Sequence, residues 1–198
     1  MPLNQPFQVI GFHSCDKAVG LKILNGDDQL RPSTNQWDWL GSGIYFWEQN
    51  PKKALDYAEK CQRKEQKFNG NIQVPFIIGA IIELGNCLNL VEPNSLQIVK
   101  AAYDQLYQTH EQAEKAMPRN NGANRKLDCA VIQSIHASNK AQELPPYDTV
   151  RSPFHEDEPI YETSNFTHGL HIEICVINED MIKGYFLPRP LEAYNPYL

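Results

Sequence analysis

A glutamate stands in the middle of an apolar strand pattern near the end of the chain. In LHIEICVI (170–177), isoleucine and valine alternate with His171, Glu173 and Cys175, so the two sets point to opposite faces of a strand. The isoleucine and valine face must meet the core. A carboxylate buried without partners is costly, so Glu173 is expected to line a cleft or to belong to a salt bridge. In a cleft, a carboxylate can stabilise a developing positive charge.

Three more side chains that could take part in binding or catalysis lie earlier in the sequence. His13 ends the strand-like stretch FQVIGFH, and Tyr45 lies in GSGIYFW, a turn that leads into a short aromatic strand. Tyr57 falls on the apolar face of a helix whose first residue is Pro51. Taken singly, each of these is an ordinary structural feature. Their order along the chain, together with Glu173, carries the functional interpretation.

Strand-like and helix-like stretches alternate between these residues. Strands are predicted at 7–13, 41–47, 74–84, 170–177 and 184–187, and helices at 16–24, 50–61, 95–116 and 126–137. Asp16 and Asn50 are the expected N-caps of the first two helices, and Leu96 and Val99 are expected to face inward from the third. The segments 25–40 and 144–159 are predicted to be loops, the second being rich in proline and acidic residues.

Length and composition limit the classes of protein that fit. The 198 residues are 41% hydrophobic and 21% charged, which predicts one folded domain over 1–198 and excludes wholesale disorder. A net charge of −6 argues against a protein that coats nucleic acid. No apolar run is long enough for a membrane span, and the first ten residues are not typical of a secretory signal. A cytoplasmic location is therefore expected.

The cysteines and histidines do not predict a metal site. Five cysteines are scattered without a CxxC pair, as expected of small core residues in a reduced compartment. His168 and His171 are three residues apart, in a predicted turn and strand, and are interpreted as a surface residue and a supporting residue. No spacing typical of a metal site is present.

The combined pattern resembles the poly(ADP-ribose)-polymerase-like, diphtheria-toxin-type ADP-ribosyltransferase domain. The matching stretches are VIGFHS, GLKILNGDDQL, GSGIYFWEQNPKKALDYA and EICVIN followed by IKGYF. That family has a first-strand histidine, a Gly-x-Gly-Ile-Tyr-Phe strand, a helix with Ala-x-x-Tyr and a late catalytic glutamate. Ser14 stands where the family commonly has glycine, and Ala54 aligns with a serine that binds the nicotinamide carboxamide. The match is dense over about residues 9–60 and 168–187.

The resemblance implies an α+β fold with two small, mostly antiparallel sheets that form an NAD cleft flanked by helices. His13, Tyr45 and Glu173 map onto the family's catalytic H-Y-E triad, and NAD is the expected substrate, with no metal. Glu173 would orient the ribose 2′-OH and stabilise positive charge on the ribose, and His13 would hold the adenosine ribose. The backbone of Ser14 would pair with the carboxamide, and Tyr45 and Tyr57 would sandwich the nicotinamide ring.

The implied activity is mono-ADP-ribosyl transfer to a protein, a nucleic acid or a small molecule. Compact domains of this type resemble bacterial toxins and phage-defence effectors, which implies an inhibitory protein partner; no membrane partner is expected. Two alternatives stay open: an NAD glycohydrolase, which uses water as acceptor, and a catalytically silent module that binds NAD or ADP-ribose. The related RNA 2′-phosphotransferases are disfavoured because their arginine-rich signature is missing.

Two further groups of residues have open roles. The acidic segment 156–158 and Glu162 are interpreted either as a solvated loop or as the border of an acceptor site. The three tryptophans are interpreted as packing residues, or as contacts to an acceptor: Trp37, Trp39 and Trp47.

Overall fold

The computed structural model describes residues 8–65, 72–122 and 124–198. The strands are β1 (Gln8–Asp16), β2 (Ile44–Glu48), β3 (Pro75–Glu83), β4 (Cys87–Asn89), β5 (Asn120–Asn121), β6 (Asn124–Arg125), β7 (Thr149–Phe154), β8 (His171–Val176) and β9 (Ile182–Phe186). The helices are α1 (Lys17–Asn25), α2 (Pro51–Gln62), α3 (Pro93–Gln112), α4 (Lys126–Ala141) and α5 (Leu191–Tyr194). Within the described ranges, no helix has both the length and the apolar character that crossing a membrane requires.

Seven strands form one mixed sheet, in the order β4-β7-β8-β2-β1-β3-β9. Only the β4–β7 pair is parallel, and β5 and β6 form a separate two-stranded ribbon. The prediction of two small sheets is therefore replaced by one continuous sheet, although its two halves are joined narrowly. β1 and β2 share two register pairs, Gly11 with Glu48 and Phe12 with Trp47, whereas β1 and β3 share nine.

Gly11 makes this narrow junction possible. A Cβ at Gly11 would lie 2.7 Å from Cβ of Phe46 and 2.7 Å from Cδ1 of Ile82. Both side chains are fully buried in the main core cluster, so neither can give way. The absence of a side chain at Gly11 therefore allows β1 to approach β2 over the core.

The two faces of the sheet are covered differently. One face meets α1 and carries the largest apolar cluster, which includes Ile44, Phe46, Ile174 and Val176. On the other face, here called the cleft face, two apolar clusters lie on either side of the middle strands. One of them involves α4 through Ile132 and Ile135, and the other involves α2 through Ala54 and Leu55.

Most predicted elements form, and the observed caps explain where two of the helices begin. The Asp16 side chain accepts a hydrogen bond from the Ala18 N–H at 2.9 Å, and Asn50 accepts one from the Lys53 N–H at 3.0 Å. One side-chain prediction is wrong: Leu96 of α3 is 51% exposed.

The largest error in the predicted elements concerns the supposed loop 144–159, which contains strand β7 between β4 and β8. Its Thr149 and Val150 are fully buried. Neighbouring prolines and carboxylates conceal this short strand in the sequence, and pairing on both sides stabilises it in the fold.

A buried asparagine completes the hydrogen bonding of β3. Asn195 is 2% exposed, and its Oδ1 accepts from the Ile77 N–H at 2.8 Å while its Nδ2 donates to the Ile77 carbonyl at 3.1 Å. The side chain thus takes the place of a neighbouring strand where β9 does not reach, since the pairing of β9 with β3 extends only to Gly79.

The substitution Asn195→Ala leaves both backbone groups of Ile77 buried and unpaired. We expect it to lower the free energy of unfolding by about 2–4 kcal/mol, because each orphaned buried group costs about 1–3 kcal/mol. Urea denaturation measures the loss, and the exposed Asn165→Ala variant is the matched control. Equal stability of the two variants would contradict the bridging role of Asn195.

Candidate functional site

The site begins where β1 and β2 part. Their ladder ends at Phe12 and Trp47, and the ring of His13 then donates a hydrogen bond from Nδ1 to the Tyr45 carbonyl at 2.8 Å. Burial lowers the pKa of His13, against the raising effect of this hydrogen bond. The ring is therefore neutral near pH 7, with Nδ1 protonated and Nε2 available as an acceptor.

The backbone of Ser14 faces the opening between the two strands. The backbone N–H and C=O of Ile77 point away from β1 and form hydrogen bonds with the side chain of Asn195. Ile77 and its register partner Ser14 therefore form no hydrogen bonds with each other. The N–H and C=O of Ser14 consequently point toward β2, beyond the last β1–β2 pair. Its hydroxyl donates to the carbonyl of Ala54 in the first turn of α2, which fixes that helix beside the opening.

Tyr45 is held at both its backbone and its hydroxyl. Oη donates to the Gly41 carbonyl at 2.7 Å and accepts from the Leu40 N–H at 3.1 Å. Burial raises the pKa of this phenol well above its ordinary value, with smaller contributions from the nearby Cys175, Asp38 and Glu173. The phenol hydroxyl thus stays protonated, and the ring is fixed against the loop that precedes β2.

The strand register brings Tyr45 and Glu173 together on the cleft face. Tyr45 is paired with Cys175 and Trp47 with Glu173, so Glu173 is the diagonal neighbour of Tyr45, about 7–8 Å away between Cα atoms. Tyr57 reaches the same place from α2 and packs on Trp47, with ring centroids 5.0 Å apart. Burial raises the pKa of Tyr57, and the charge of Glu173 adds to the effect.

Glu173 is largely enclosed, and its close partner is a histidine. Its side chain is 12% exposed, and Oε1 lies 3.1 Å from Nε2 of His171, whose side chain is 1% exposed. The Glu173 side chain is therefore nearly enclosed on the cleft face, within hydrogen-bond distance of His171. The alternating pattern placed both residues on one face, but it gave no sign of this hydrogen bond.

The acidic segment after β7 crosses toward α2. Glu156 forms an ion pair with Lys53 at 2.7 Å. Glu158 and Glu162 are exposed, and the segment folds back through a hydrogen bond from the Ile160 N–H to the Phe166 carbonyl. Of the alternative carboxylates, Glu156 is the one that bridges from this segment to the helix carrying Tyr57.

The three tryptophans differ in environment. Trp37 is 38% exposed, whereas Trp47 is buried opposite Glu173 with its Nε1 unpaired among the described residues. Trp39 packs against Phe154 and lies under the guanidinium of Arg125, which is 5.5 Å from the ring centroid. Packing against neighbouring side chains thus accounts for most of the contacts of Trp39 and Trp47.

A groove of about 610 Å³ lies beside the site, between α3, α4 and β7. Its lining includes Trp39, Tyr103, Arg125 and Phe154. Phe154 is the register partner of His171, so the groove and the His171–Glu173 pair are contiguous across β7 and β8. Sequence reasoning missed this groove because it is formed by elements far apart in the chain.

Comparison of the chain with protein-family models, with curated proteins and with solved structures finds no match. In the described part of the chain, no three histidine, cysteine, aspartate or glutamate side chains group closely enough to hold a metal ion.

The substitution Tyr45→Phe tests how the tyrosine is held. Without the hydroxyl, the Leu40 N–H loses its partner and the Gly41 carbonyl keeps only the weak contact from the Cys175 thiol, so we expect about 1–2 kcal/mol lower stability. Hydrogen exchange should show faster exchange of the Leu40 amide than in the wild type. Unchanged protection at Leu40 would mean that the hydroxyl does not anchor this loop.

Proposed function

We propose that the protein is a mono-ADP-ribosyltransferase with an ADP-ribosyltransferase-like fold, which cleaves NAD and transfers ADP-ribose to an acceptor. The observation that carries the proposal is the meeting of Glu173, Tyr45 and Tyr57 on one face of the sheet, where β1 leaves β2. Two aromatic rings beside the enclosed Glu173 carboxyl group suit a flat aromatic leaving group on a sugar.

The nicotinamide end of NAD fits the polar groups at the opening. The N–H and C=O of Ser14 face this opening and offer one donor and one acceptor to a carboxamide, which itself has both. The Ser14 hydroxyl is engaged with Ala54 and is not counted as a ligand group. Tyr45 and Tyr57 supply the ring surfaces for stacking.

The remainder of NAD is assigned to His13 and to the open edge of β1. With Nδ1 committed to the Tyr45 carbonyl, Nε2 of His13 can accept a hydrogen bond from a ribose hydroxyl. Because burial lowers the pKa of His13, its imidazole is a weak base, so it accepts this hydrogen bond without taking the hydroxyl proton.

The reaction breaks the bond between ribose C1′ and the nicotinamide nitrogen. The electron pair leaves with nicotinamide, which becomes neutral, and positive charge develops on the ribose. The Glu173 carboxylate accepts a hydrogen bond from the 2′-OH and stabilises that charge. An acceptor nucleophile then bonds to C1′ and releases its proton to the solvent.

The groove beside β7 is the proposed place for the acceptor, because it adjoins the His171–Glu173 pair on the side away from α2.

We infer the cytoplasm as the compartment, since all five cysteines are free thiols. A protein, a nucleic acid or a small molecule stays open as acceptor, and an inhibitory protein partner stays a prediction.

The substitution Glu173→Gln tests the central role. It keeps the size of the side chain but removes its charge, and we expect nicotinamide release to fall by about 10²-fold or more, equivalent to about 2.7 kcal/mol of transition-state stabilisation. Binding of NAD, measured by calorimetry, should change little. The exposed Glu162→Gln variant is the control and should retain full activity.

The acceptor is examined in the same experiment with labelled NAD. Label that becomes attached to macromolecules or metabolites of a cell lysate supports transfer, whereas free ADP-ribose alone identifies an NAD glycohydrolase. Binding of NAD without nicotinamide release identifies a silent module. Full activity of Glu173→Gln would reject the carboxylate's role.

The substitution Tyr57→Ala tests the stacking surface. Because stacking acts mainly on bound substrate, we expect the KM for NAD to rise more than kcat falls. Tyr57→Phe keeps the ring that packs on Trp47 and should retain the wild-type KM. Steady-state kinetics of both variants give the comparison, and an unchanged KM in Tyr57→Ala would return this residue to a packing role.

A further inference from the structure

Both ring nitrogens of His171 face hydrogen-bond acceptors. Nδ1 lies 2.6 Å from the carbonyl of Gly169, and Nε2 lies 3.1 Å from Oε1 of Glu173. A neutral imidazole carries a single N–H and cannot donate to both, whereas an imidazolium can. With Glu173 as a carboxylate, this geometry requires a protonated ring in a side chain that is 1% exposed.

The surroundings of His171 favour this charge. Burial alone lowers the pKa of the ring, but its hydrogen bonds to Glu173 and Gly169 and the charges of Glu173 and Glu156 outweigh that effect, so the pKa is raised above its ordinary value. The carboxylate of Asp157 lies beside Gly169. The nearby cation, Lys53, is paired with Glu156.

The aromatic neighbour of His171 sets the orientation of its ring. Phe154 of β7 is its register partner, and the two ring centroids are 5.7 Å apart. With this ring beside it and the Gly169 carbonyl at Nδ1, the imidazole is held on two sides, so the direction of its Nε2–H is fixed.

We propose that His171 is the positioning residue for Glu173, and that loss of its proton makes NAD cleavage fall at alkaline pH. Its protonated ring holds Oε1, which turns Oε2, not part of this contact, toward the ribose 2′-OH. The inference rests on the proposed function and deepens it.

The direction of the pH dependence follows from the hydrogen bonds. Below the raised pKa of His171, the ring donates to both acceptors and Glu173 is held. Above it, one donated hydrogen bond is lost. If the remaining proton stays on Nδ1, the lone pair of Nε2 faces the carboxylate and repels it. Turnover should therefore be full below this pKa and fall as pH rises through it.

The kinetic test compares two substitutions at position 171. His171→Gln offers an uncharged donor whose protonation does not change with pH, so the alkaline fall in kcat should disappear, with neutral-pH turnover within about tenfold of wild type. His171→Leu removes the donor and should lower kcat at least tenfold, with the KM for NAD little changed. Thermal unfolding shows which variants are folded. The exposed His168→Gln should keep the wild-type profile.

A second readout does not depend on activity. In wild-type protein, ¹⁵N spectra of the imidazoles should show both nitrogens of His171 protonated at neutral pH. Glu173→Gln should lower the pKa of His171, because the charge and the strong acceptor are removed. His168 in the same spectra serves as the internal control.

The two measurements separate the possible failures. If His171 is doubly protonated and responds to Glu173→Gln, but nicotinamide is never released, the ion pair stands and the proposed function fails. If NAD is cleaved but His171 carries one proton at neutral pH, or His171→Gln retains the alkaline fall, the positioning role is overturned and the proposed function stands.

Discussion

The parting of β1 and β2 after Phe12 and Trp47 is the constraint on which the site depends. Two strands of one sheet ordinarily continue to pair, because unpaired backbone groups in a fold are costly. Here the imidazole of His13 supplies the hydrogen bond to the Tyr45 carbonyl. The two strands pair at Gly11 and Phe12. Past Phe12 they separate, and the backbone of Ser14 faces the gap between them.

This opening is stable because the surrounding structure fixes both strands. Gly11 allows β1 to approach the core side chain of Phe46, and the carboxamide of Asn195 completes the outer edge of β3. On the cleft face, the hydroxyl of Ser14 ties α2 to β1. The site is thus formed by regular strands and a helix, and less by loops, which favours fixed positions for the aromatic rings.

The electrostatics of the cleft face follow from enclosing the Glu173 side chain. Among the described residues, His171 lies within hydrogen-bond distance of Glu173, and the segment after β7 adds an ion pair between Glu156 and Lys53. In the proposed mechanism, the imidazolium of His171 takes the place of water beside Glu173 and directs it toward the cation that forms on a bound sugar. The pair between Glu156 and Lys53 partly neutralises the negative charge of the segment.

The sequence by itself determined the local features: the strand alternation around Glu173, the caps at Asp16 and Asn50, and the short strand that contains Tyr45. These depend on neighbouring residues and on the period of the backbone, so they can be read without a fold. The tertiary structure decided that one sheet replaces two, that β7 lies inside the proline-rich acidic segment, and that the ring of His171 is enclosed beside Glu173. Pairing with β4 and β8, which are distant in the chain, stabilises β7. The hydrogen-bonding partners of His171 are only two residues away on either side, but its enclosure against Phe154 requires β7 to lie beside β8, which no local pattern encodes.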